Sequence, residues 1–389
     1  MYKSIKIEGF RQFDNFEIDD LGAVNLFLGP NNTGKSSILE AFYTHACGLN
    51  FNNFNKKVIN GRRFNPPTGA YDAGNQIRTL FYSTESPPYK FSISAEVDNK
   101  GYHSINYNFE PSPELLSMFD PRSEGYFDPS FSSSYTSDTD GELNQLTRLF
   151  GILANEINNK FIGSFEIQDH SKEIKIEYKF PRTSIKGKQT QYYSAVLHDI
   201  LTHRFPETDV IIFSHLKKYG ILKEFVKEIK EAFPIIKDID YIPYSDSNKA
   251  PISVITNENK ILPLYAFGDG LRRWYYILGN MITFQNAIHC IEEIDSTFHP
   301  KSQHKLAPLL LKYSKEYNNQ IMLTSHSLEF ADAFLSSLYK DKNNELIKEG
   351  EDPIRIFTLA KDKNDKLEVW KHTGKEAFEM RSKFGLDFR

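Results

Sequence analysis

A short loop near the N-terminus carries the residue types and the spacing of a phosphate-binding site. Residues Gly29–Ser36 read GPNNTGKS, which is a glycine, four residues and then Gly-Lys-Ser. Glycines let successive backbone N–H groups point into one concavity, and the N-terminus of a following helix adds partial positive charge. We expect Lys35 to reach the β- and γ-phosphates of a nucleotide and the Ser36 hydroxyl to coordinate Mg²⁺. The residues expected to contact the nucleotide here are Asn31, Asn32, Thr33, Gly34, Lys35, Ser36 and Ser37.

Two adjacent carboxylates follow a second apolar segment. Residues 287–291 run directly into Glu292 and Glu293. Beside a phosphate loop, one carboxylate can hold Mg²⁺ while the next orients or deprotonates the attacking water. We assign the metal to Glu292 and the water to Glu293. A register shifted by one residue, with Glu293 on the metal, stays open because position 292 usually carries an aspartate in such proteins.

A polar cluster with a histidine follows a third apolar segment. Residues 320–323 lead into Thr324-Ser325-His326-Ser327. Ligands of parallel α/β sheets bind at the carboxyl ends of the strands, so His326 could hydrogen bond to the γ-phosphate. A structural histidine is the alternative. We predict that His326 is catalytic together with Lys35 and Glu293.

A glycine-rich helix start precedes the acidic pair. Gly268, Asp269 and Gly270 stand before a segment with helical spacing. Such a start exposes backbone N–H groups to an anion, although a tight turn capped by Asp269 would look the same. Because the chain already has one phosphate loop, a second helix start facing phosphate indicates that a neighbouring subunit completes the site.

These residues need strands and helices to bring them together. The apolar run Ala23–Leu28 predicts a buried parallel strand, and a helix is predicted from Lys35. Further strands are predicted at residues 210–213, 287–291 and 320–323, helices at 222–233, from 270 and at 301–317, and hairpins at 252–264 and after 352. The carboxyl ends of parallel strands meet at one edge, so Lys35, Glu293 and His326 should converge on one triphosphate. The predicted fold class is an α/β P-loop NTPase.

Between the two α/β portions the sequence changes character. Residues 89–97 and 174–178 alternate as strands do, residues 120–141 read as a surface loop, and residues 143–157 have helical spacing. The predicted domain division is a nucleotide-binding part at 1–84, an inserted antiparallel lobe at 85–204 and a second nucleotide-binding part at 205–389.

Composition excludes several classes of protein. A net charge of −4 gives no global attraction to nucleic acid, so DNA binding is possible but is not supported by charge. Two cysteines cannot form a disulfide framework, which favours a cytoplasmic location. No apolar stretch approaches the length of a membrane span, and no apolar signal segment is seen, so we expect no membrane association.

These motifs, in this order, resemble the ABC-type ATPases of the OLD-like AAA class, which are related to the ATPase heads of chromosome-maintenance and recombination proteins. The matching stretches are Gly29–Ser37, Phe267–Arg273, Ile291–Pro300 and Leu323–Ser327. The resemblance implies an ABC-type ATPase head with an inserted strand-rich lobe, and ATP and Mg²⁺ as its ligands. It also implies a head-to-tail homodimer or a higher oligomer, with ATP held between two subunits.

The resemblance assigns roles by position. Residues Gly268–Gly270 would contact the partner's γ-phosphate, Ser296–His299 would cross the dimer interface, and Arg11 would flank the nucleotide unless it is a surface arginine. The family also uses a glutamine that links the γ-phosphate to the lobe. The sequence leaves four candidates for it, namely Gln76, Gln168, Gln189 and Gln191.

The C-terminal part bears on the effector. OLD nucleases continue into a Toprim nuclease domain, but the residues after His326 are too few for a domain of about a hundred residues. Asp362 and Asp365 are interpreted as turn residues. The chain is therefore similar to the ATPase half of two-protein antiphage systems such as PARIS, in which a separate chain, for example a Toprim nuclease, is the effector.

Three functional hypotheses follow. The first is an ATP-driven switch that controls a separate nuclease or toxin. The second is a DNA-clamping repair head, and the third is an assembly scaffold that hydrolyses little ATP. The phosphate contacts of the second hypothesis would come from Lys56, Lys57, Arg62, Arg63, Lys217 and Lys218.

Overall fold

The computed structural model describes residues 1–61, 70–113, 115–116, 160–169, 172–180, 183–204, 206–242, 251–341, 344–347, 351–363 and 365–385. The strands in these ranges are β1 (Tyr2–Phe10), β2 (Phe13–Ile18), β3 (Val24–Leu28), β4 (Tyr89–Val97), β5 (Gly101–Pro111), β6 (Lys160–Asp169), β7 (Lys172–Phe180), β8 (Ser184–Lys186), β9 (Ser194–His198), β10 (Ile236–Tyr241), β11 (Ile252–Thr256), β12 (Ile261–Pro263), β13 (Ala287–Ile291), β14 (Gln320–Thr324), β15 (Ile354–Lys361) and β16 (Leu367–Thr373). The α-helices are α1 (Lys35–Cys47), α2 (Phe51–Phe54), α3 (Ala70–Arg78), α4 (Pro206–Lys218), α5 (Leu222–Ala232), α6 (Asp269–Thr283), α7 (Pro300–Glu316), α8 (Leu328–Tyr339) and α9 (Gly374–Phe384).

The sheet that carries the phosphate loop has the strand order β16-β15-β3-β14-β13-β9. Its strands pair in parallel except for β16, which is antiparallel to β15. All residues of β3, β13 and β14 are buried. In β3, Phe27 packs in one hydrophobic core while Leu26 and Leu28 pack in another, so the sheet is covered on both faces. The predicted buried parallel strand before the loop is confirmed.

A second, antiparallel sheet joins the N-terminal hairpin to the inserted strands. Its order is β2-β1-β4-β5-β6-β7-β8. Aromatic side chains fill its core: the Phe91 and Tyr107 rings stack with centroids 4.4 Å apart, and the Phe109 and Phe165 centroids are 4.5 Å apart. The aromatic content of the chain therefore serves packing in this core.

A third, three-stranded sheet is built by the order β10-β11-β12. Strands β11 and β12 form the predicted hairpin, in which Thr256 N–H donates to the Lys260 carbonyl at 2.9 Å. The predicted C-terminal hairpin and helix are also confirmed as β15, β16 and α9. Asp365, in the hairpin turn, has a φ of 64°, as the interpretation of a turn residue requires.

The strand predicted at residues 210–213 is wrong, because this segment lies inside helix α4. A short apolar run cannot be distinguished from part of a buried helix by periodicity alone. The structure buries Ile212, Phe213 and Leu216, which is helical spacing, and leaves Ile211 53% exposed.

One strand of the predicted insert belongs to the phosphate-loop sheet. Strand β9 pairs in parallel with β13, so the chain returns to this sheet before residue 204. The loop predicted at 120–141 and the helix predicted at 143–157 lie outside the described residues, and the domain division itself stays a prediction. Among the described helices, none has the length and apolar character needed to cross a membrane.

A parallel sheet ending in a phosphate loop, with an antiparallel lobe beside it, confirms the predicted fold class of an α/β, ABC-type P-loop head with an inserted strand-rich lobe.

Candidate nucleotide-binding and hydrolysis site

The loop between β3 and α1 is shaped by its glycines. Gly34 has a φ of 96° and caps α1 without a side-chain hydrogen bond, so the first N–H groups of the helix are left for an anion. A Cβ on Gly34 would lie 2.5 Å from Cζ of Phe13. At the tip Asn31 and Asn32 are exposed, while the buried Thr33 hydroxyl donates to the Pro30 carbonyl at 2.9 Å. The local geometry is therefore that of an anion-binding loop.

Lys35 is buried at the base of this loop. Its Nζ donates to the carbonyls of Gly29 and Pro30, each at 2.7 Å. Burial lowers the pKa of Lys35, and the negative charges of Glu293 and Asp295 partly oppose that shift. The lysine and these two carboxylates, far apart in sequence, thus share one electrostatic environment.

Ser36 and Glu292 meet at the expected metal position. The Ser36 hydroxyl donates to Oε1 of Glu292. A hydroxyl and a carboxylate are the oxygen ligands that Mg²⁺ takes in nucleotide sites, so the residues present fit this ion. Glu292, rather than Glu293, makes the contact to Ser36, as in the register that we favoured from the sequence.

Glu293 has a strained backbone at the end of β13. Its φ is 43°, a conformation that non-glycine residues rarely adopt. The Glu293 N–H donates to Oγ1 of Thr324 at 2.9 Å, and its carbonyl accepts from the Ser296 N–H at 3.0 Å. These bonds hold the turn that sets the direction of the Glu293 side chain. Backbone strain of this kind is common at active sites.

His326 lies at the end of β14, next to β13 in the sheet. Its ring is 49% exposed, and its Nδ1 lies 3.9 Å from Oδ2 of Asp295, whose side chain is 6% exposed. Asp295 thus stands between Lys35 and His326. The structure therefore brings the three predicted catalytic residues to the same edge of the sheet.

The glycine-rich start of helix α6 lies beside the loop that follows the acidic pair. A Cβ on Gly270 would lie 2.9 Å from the carbonyl of Thr297, whereas a Cβ on Gly268 would have nothing within 4 Å. Gly268, Gly270, Thr297 and His299 also border a common cavity of about 270 Å³. The two segments that the resemblance assigns to the dimer interface are thus neighbours.

The Asp269 carboxylate is engaged within its own chain. Arg204 donates to its Oδ2 at 2.5 Å, and His203 Nε2 and Arg272 lie 3.5 and 3.7 Å from its Oδ1. Burial would raise the pKa of Asp269, but the hydrogen bond from Arg204 and the nearby positive charges lower it. Any contact of this segment with phosphate would therefore come from backbone N–H groups rather than from Asp269.

Arg273, one helical turn after Asp269, connects α6 to the acidic pair. It donates to the backbone carbonyl of Glu292 and, at 2.5 Å, to Oγ of Ser296. Burial lowers the pKa of Arg273 to about 10, although Asp295 and the two glutamates oppose the shift, so the guanidinium is charged at neutral pH.

Arg11 lies against helix α1 and borders a cavity beside the phosphate loop. Its guanidinium donates to Glu40, to the carbonyl and hydroxyl of Thr79 and to the carbonyl of Val58. These bonds use all five donors of the group. Arg11 is thus near the loop, as expected, but it shapes the cavity wall and has its donors occupied within the protein.

Sequence reasoning missed several residues of this site. Asp295, Thr324 and Arg273 received no role, although each contacts or polarises a predicted site residue. The one available signal was the position of Arg273, four residues before Ile277 on the buried face of α6.

The lysines and arginines of the DNA-clamping hypothesis do not form one described surface. Burial lowers the pKa of Lys57, which is opposed by Asp199, so this side chain faces inward. Lys217 and Lys218 are exposed at the end of α4, and Arg62 and Arg63 lie outside the described residues. No observation in the described part of the chain favours DNA binding.

Comparison with known proteins adds three findings. The family model described as "AAA domain, putative AbiEii toxin, Type IV TA system" matches residues 24–332. A Helicobacter pylori protein named ATP/GTP phosphatase is 22% identical over 360 residues, which cover 88% of this chain and 90% of that protein.

Solved structures of SMC heads are also similar. An SMC head bound to the C-winged helix domain of ScpA is 12% identical, covers 97% of this chain and 99% of its own, and has a TM-score of 0.49. The SMC head domain from Thermotoga maritima is 13% identical, with coverages of 95% and 98% and a TM-score of 0.41.

Proposed function

This chain belongs to that AAA-domain family, and we propose that it is an ATP-hydrolysing switch whose nucleotide site is completed by a second copy of the same chain. Hydrolysis of ATP is the activity of this enzyme. The observation that carries the proposal is the meeting of four groups at one sheet edge. The Ser36 hydroxyl contacts the Glu292 carboxylate, and the Lys35 ammonium lies in the field of Glu293 and Asp295.

We propose the following roles. Lys35 neutralises the β- and γ-phosphates, and Ser36 with Glu292 would hold Mg²⁺, which bridges phosphate oxygens and offsets their charge when bound. Glu293 accepts a proton from water as the water oxygen bonds to the γ-phosphorus and the bond to the β-phosphate oxygen breaks. ADP and phosphate leave. His326 donates a hydrogen bond to the γ-phosphate, supported by its proximity to Asp295.

The first experiment separates binding from hydrolysis. Glu293→Gln should retain ATP binding and lower phosphate release by about 10²–10⁴-fold, because the amide cannot accept the proton. Lys35→Ala should lose binding as well. The matched control is Asp365→Asn, which changes an exposed carboxylate in the C-terminal hairpin. Hydrolysis by Glu293→Gln at the control rate would contradict the assignment.

The second experiment tests completion by a partner subunit. Gly268 has a φ of −61° and open space around its Cβ position, so Gly268→Leu should fold normally. The new side chain would occupy the approach of the partner's phosphate and abolish ATP-dependent dimerisation, measured by light scattering on Glu293→Gln background protein. An ATP-bound dimer that forms equally well would refute the composite site.

Mixing two inactive variants sharpens this test. In a dimer of Lys35→Ala with Gly268→Leu, one site combines the intact phosphate loop of one subunit with the intact helix start of the other. An equal mixture should recover about a quarter of wild-type hydrolysis, since half of the dimers are mixed and each has one good site. If hydrolysis occurs within single chains, mixing will recover none.

We further propose that nucleotide-driven closing controls a separate effector chain in antiphage defence, with a Toprim nuclease as the candidate. The motif resemblance and the mention of a toxin in the family description support this assignment. The test is purification of Glu293→Gln protein from the native host with and without ATP, followed by identification of stoichiometric partners. A chain that purifies without a partner in both states would contradict effector control.

A further inference from the structure

A cavity of about 450 Å³ lies beside the phosphate loop. Its wall includes Ser37 from the first turn of α1, Ile59, and Asn75 and Gln76 from α3. This volume is within the range of pockets that bind small organic ligands.

The position of the cavity indicates which part of a nucleotide it could receive. Ser37 borders it, whereas Lys35, Glu292 and Glu293 are not among its lining residues. Lys35 and Ser36 take the β- and γ-phosphates in a loop of this type, so the nucleoside must extend away from them. The cavity next to Ser37 lies on that other side.

The side chain of Gln76 distinguishes this cavity. Gln76 is only 6% exposed, and neither Nε2 nor Oε1 of its amide has a hydrogen-bond partner among the described residues. Buried amides without partners are rare because each unmade bond costs free energy. A ligand edge that offers one donor and one acceptor would satisfy both atoms.

Other wall residues provide shape rather than hydrogen bonds for such an edge. Arg11 uses its five donors within the protein, as described above, and Ile59 is a buried apolar residue. Gln12 donates from Nε2 to the carbonyl of Asn32 in the phosphate loop at 3.4 Å, which places the wall against the loop.

We propose that this cavity binds the purine nucleoside part of the nucleotide and that the Gln76 amide pairs with positions 1 and 6 of the base. This inference rests on the proposed function. The amide oxygen accepts from the 6-amino group of adenine while its nitrogen donates to N1. Because no internal hydrogen bond fixes its orientation, the amide can turn over and pair equally with O6 and the N1–H of guanine. The chain therefore hydrolyses both ATP and GTP.

The test compares nucleotides that differ only at the base. The KM of the full-length wild-type protein is measured for ATP, GTP and purine riboside triphosphate, which lacks the group at position 6. Wild type should show similar KM values for ATP and GTP and a KM about 3- to 10-fold higher for the purine riboside nucleotide, since one hydrogen bond is lost. Equal KM values for ATP and the purine riboside nucleotide would overturn the proposal without the need for any variant.

Variants of Gln76 assign the contact. Gln76→Leu should remove the difference between ATP and the purine riboside nucleotide. Gln76→Glu should shift preference toward GTP, because a carboxylate accepts from the N1–H and 2-amino group of guanine. The matched control is Gln191→Leu, which removes an exposed amide and should leave all ratios unchanged.

The outcome for Gln76 is separable from the outcome for the proposed function. If Gln76→Leu lowers kcat equally for all three nucleotides and leaves their KM ratio at the wild-type value, Gln76 acts on the phosphates or only in packing. The base-binding proposal is then refuted while ATP hydrolysis through Lys35 and Glu293 stands. If Lys35→Ala hydrolyses ATP as wild type does, the proposed function itself fails.

Discussion

Replacement of Arg273 should destabilise the protein more than replacement of an exposed basic residue. The guanidinium is 1% exposed, donates to the carbonyl of Glu292 and to Ser296, and lies near Asp295. Arg273→Met removes both hydrogen bonds and the positive charge. Arg273→Lys keeps the charge, but one ammonium group cannot span both acceptors as a planar guanidinium does.

The magnitudes follow from these contacts. Its pKa of about 10, against 12.5 for the free group, means that burial disfavours the charged form by about 3 kcal/mol. Two charge-assisted hydrogen bonds of about 1.5–3 kcal/mol each offset this cost. Loss of the cation leaves its buried partners uncompensated, so Arg273→Met should lower the free energy of unfolding by about 3–5 kcal/mol. Arg273→Lys should lose about 1.5–3 kcal/mol, the value of one bond.

Urea unfolding followed by the fluorescence of Trp274, which is fully buried next to Arg273, measures these differences. The control is Lys371→Met, which removes a half-exposed ion pair with Asp19 and should change stability by at most about 1 kcal/mol. If Arg273→Met unfolds within 1 kcal/mol of the control, the bonds to Glu292 and Ser296 do not hold α6 to the acidic strand. The connection between the two segments would then have to be abandoned.

Three further outcomes are expected. Burial lowers the pKa of His45 and of His289 to about 4 from 6.5, so the unfolded chain binds their protons first as the pH falls. The free energy of unfolding should therefore be highest above pH 6.5 and decrease toward pH 4 by about 1.4 kcal/mol per pH unit for each histidine, measured by urea titration at several pH values; a flat profile would contradict this. Gly34→Ala places a Cβ 2.5 Å from the Phe13 ring at a φ of 96° and should cost about 1–3 kcal/mol, visible as a lower urea midpoint. His326→Ala removes a half-exposed ring, so its urea midpoint should stay within about 0.5 kcal/mol of wild type while phosphate release falls; a variant that hydrolyses normally would leave His326 without a role.

Local sequence patterns predicted much of this fold. The glycine-lysine-serine spacing places an anion-binding turn before a helix, because the backbone conformations that it needs are local and available to glycine. Completely apolar segments predicted the buried strands β13 and β14 for a similar reason. The apolar run at 210–213 was misread because its burial depends on a helix face, which a run of four residues does not reveal.

The amino-acid sequence by itself therefore determined the phosphate loop, the acidic pair and the strands that carry them, since each is written in consecutive residues. Only the tertiary structure decided that Glu292 rather than Glu293 contacts Ser36, that Arg273 bonds to the acidic strand, and that the amide of Gln76 is buried without a partner. These facts depend on side chains brought together from distant segments by the order of strands in a sheet and the packing of helices on it. No local pattern encodes such distances, because they arise from how the whole chain buries its apolar surface.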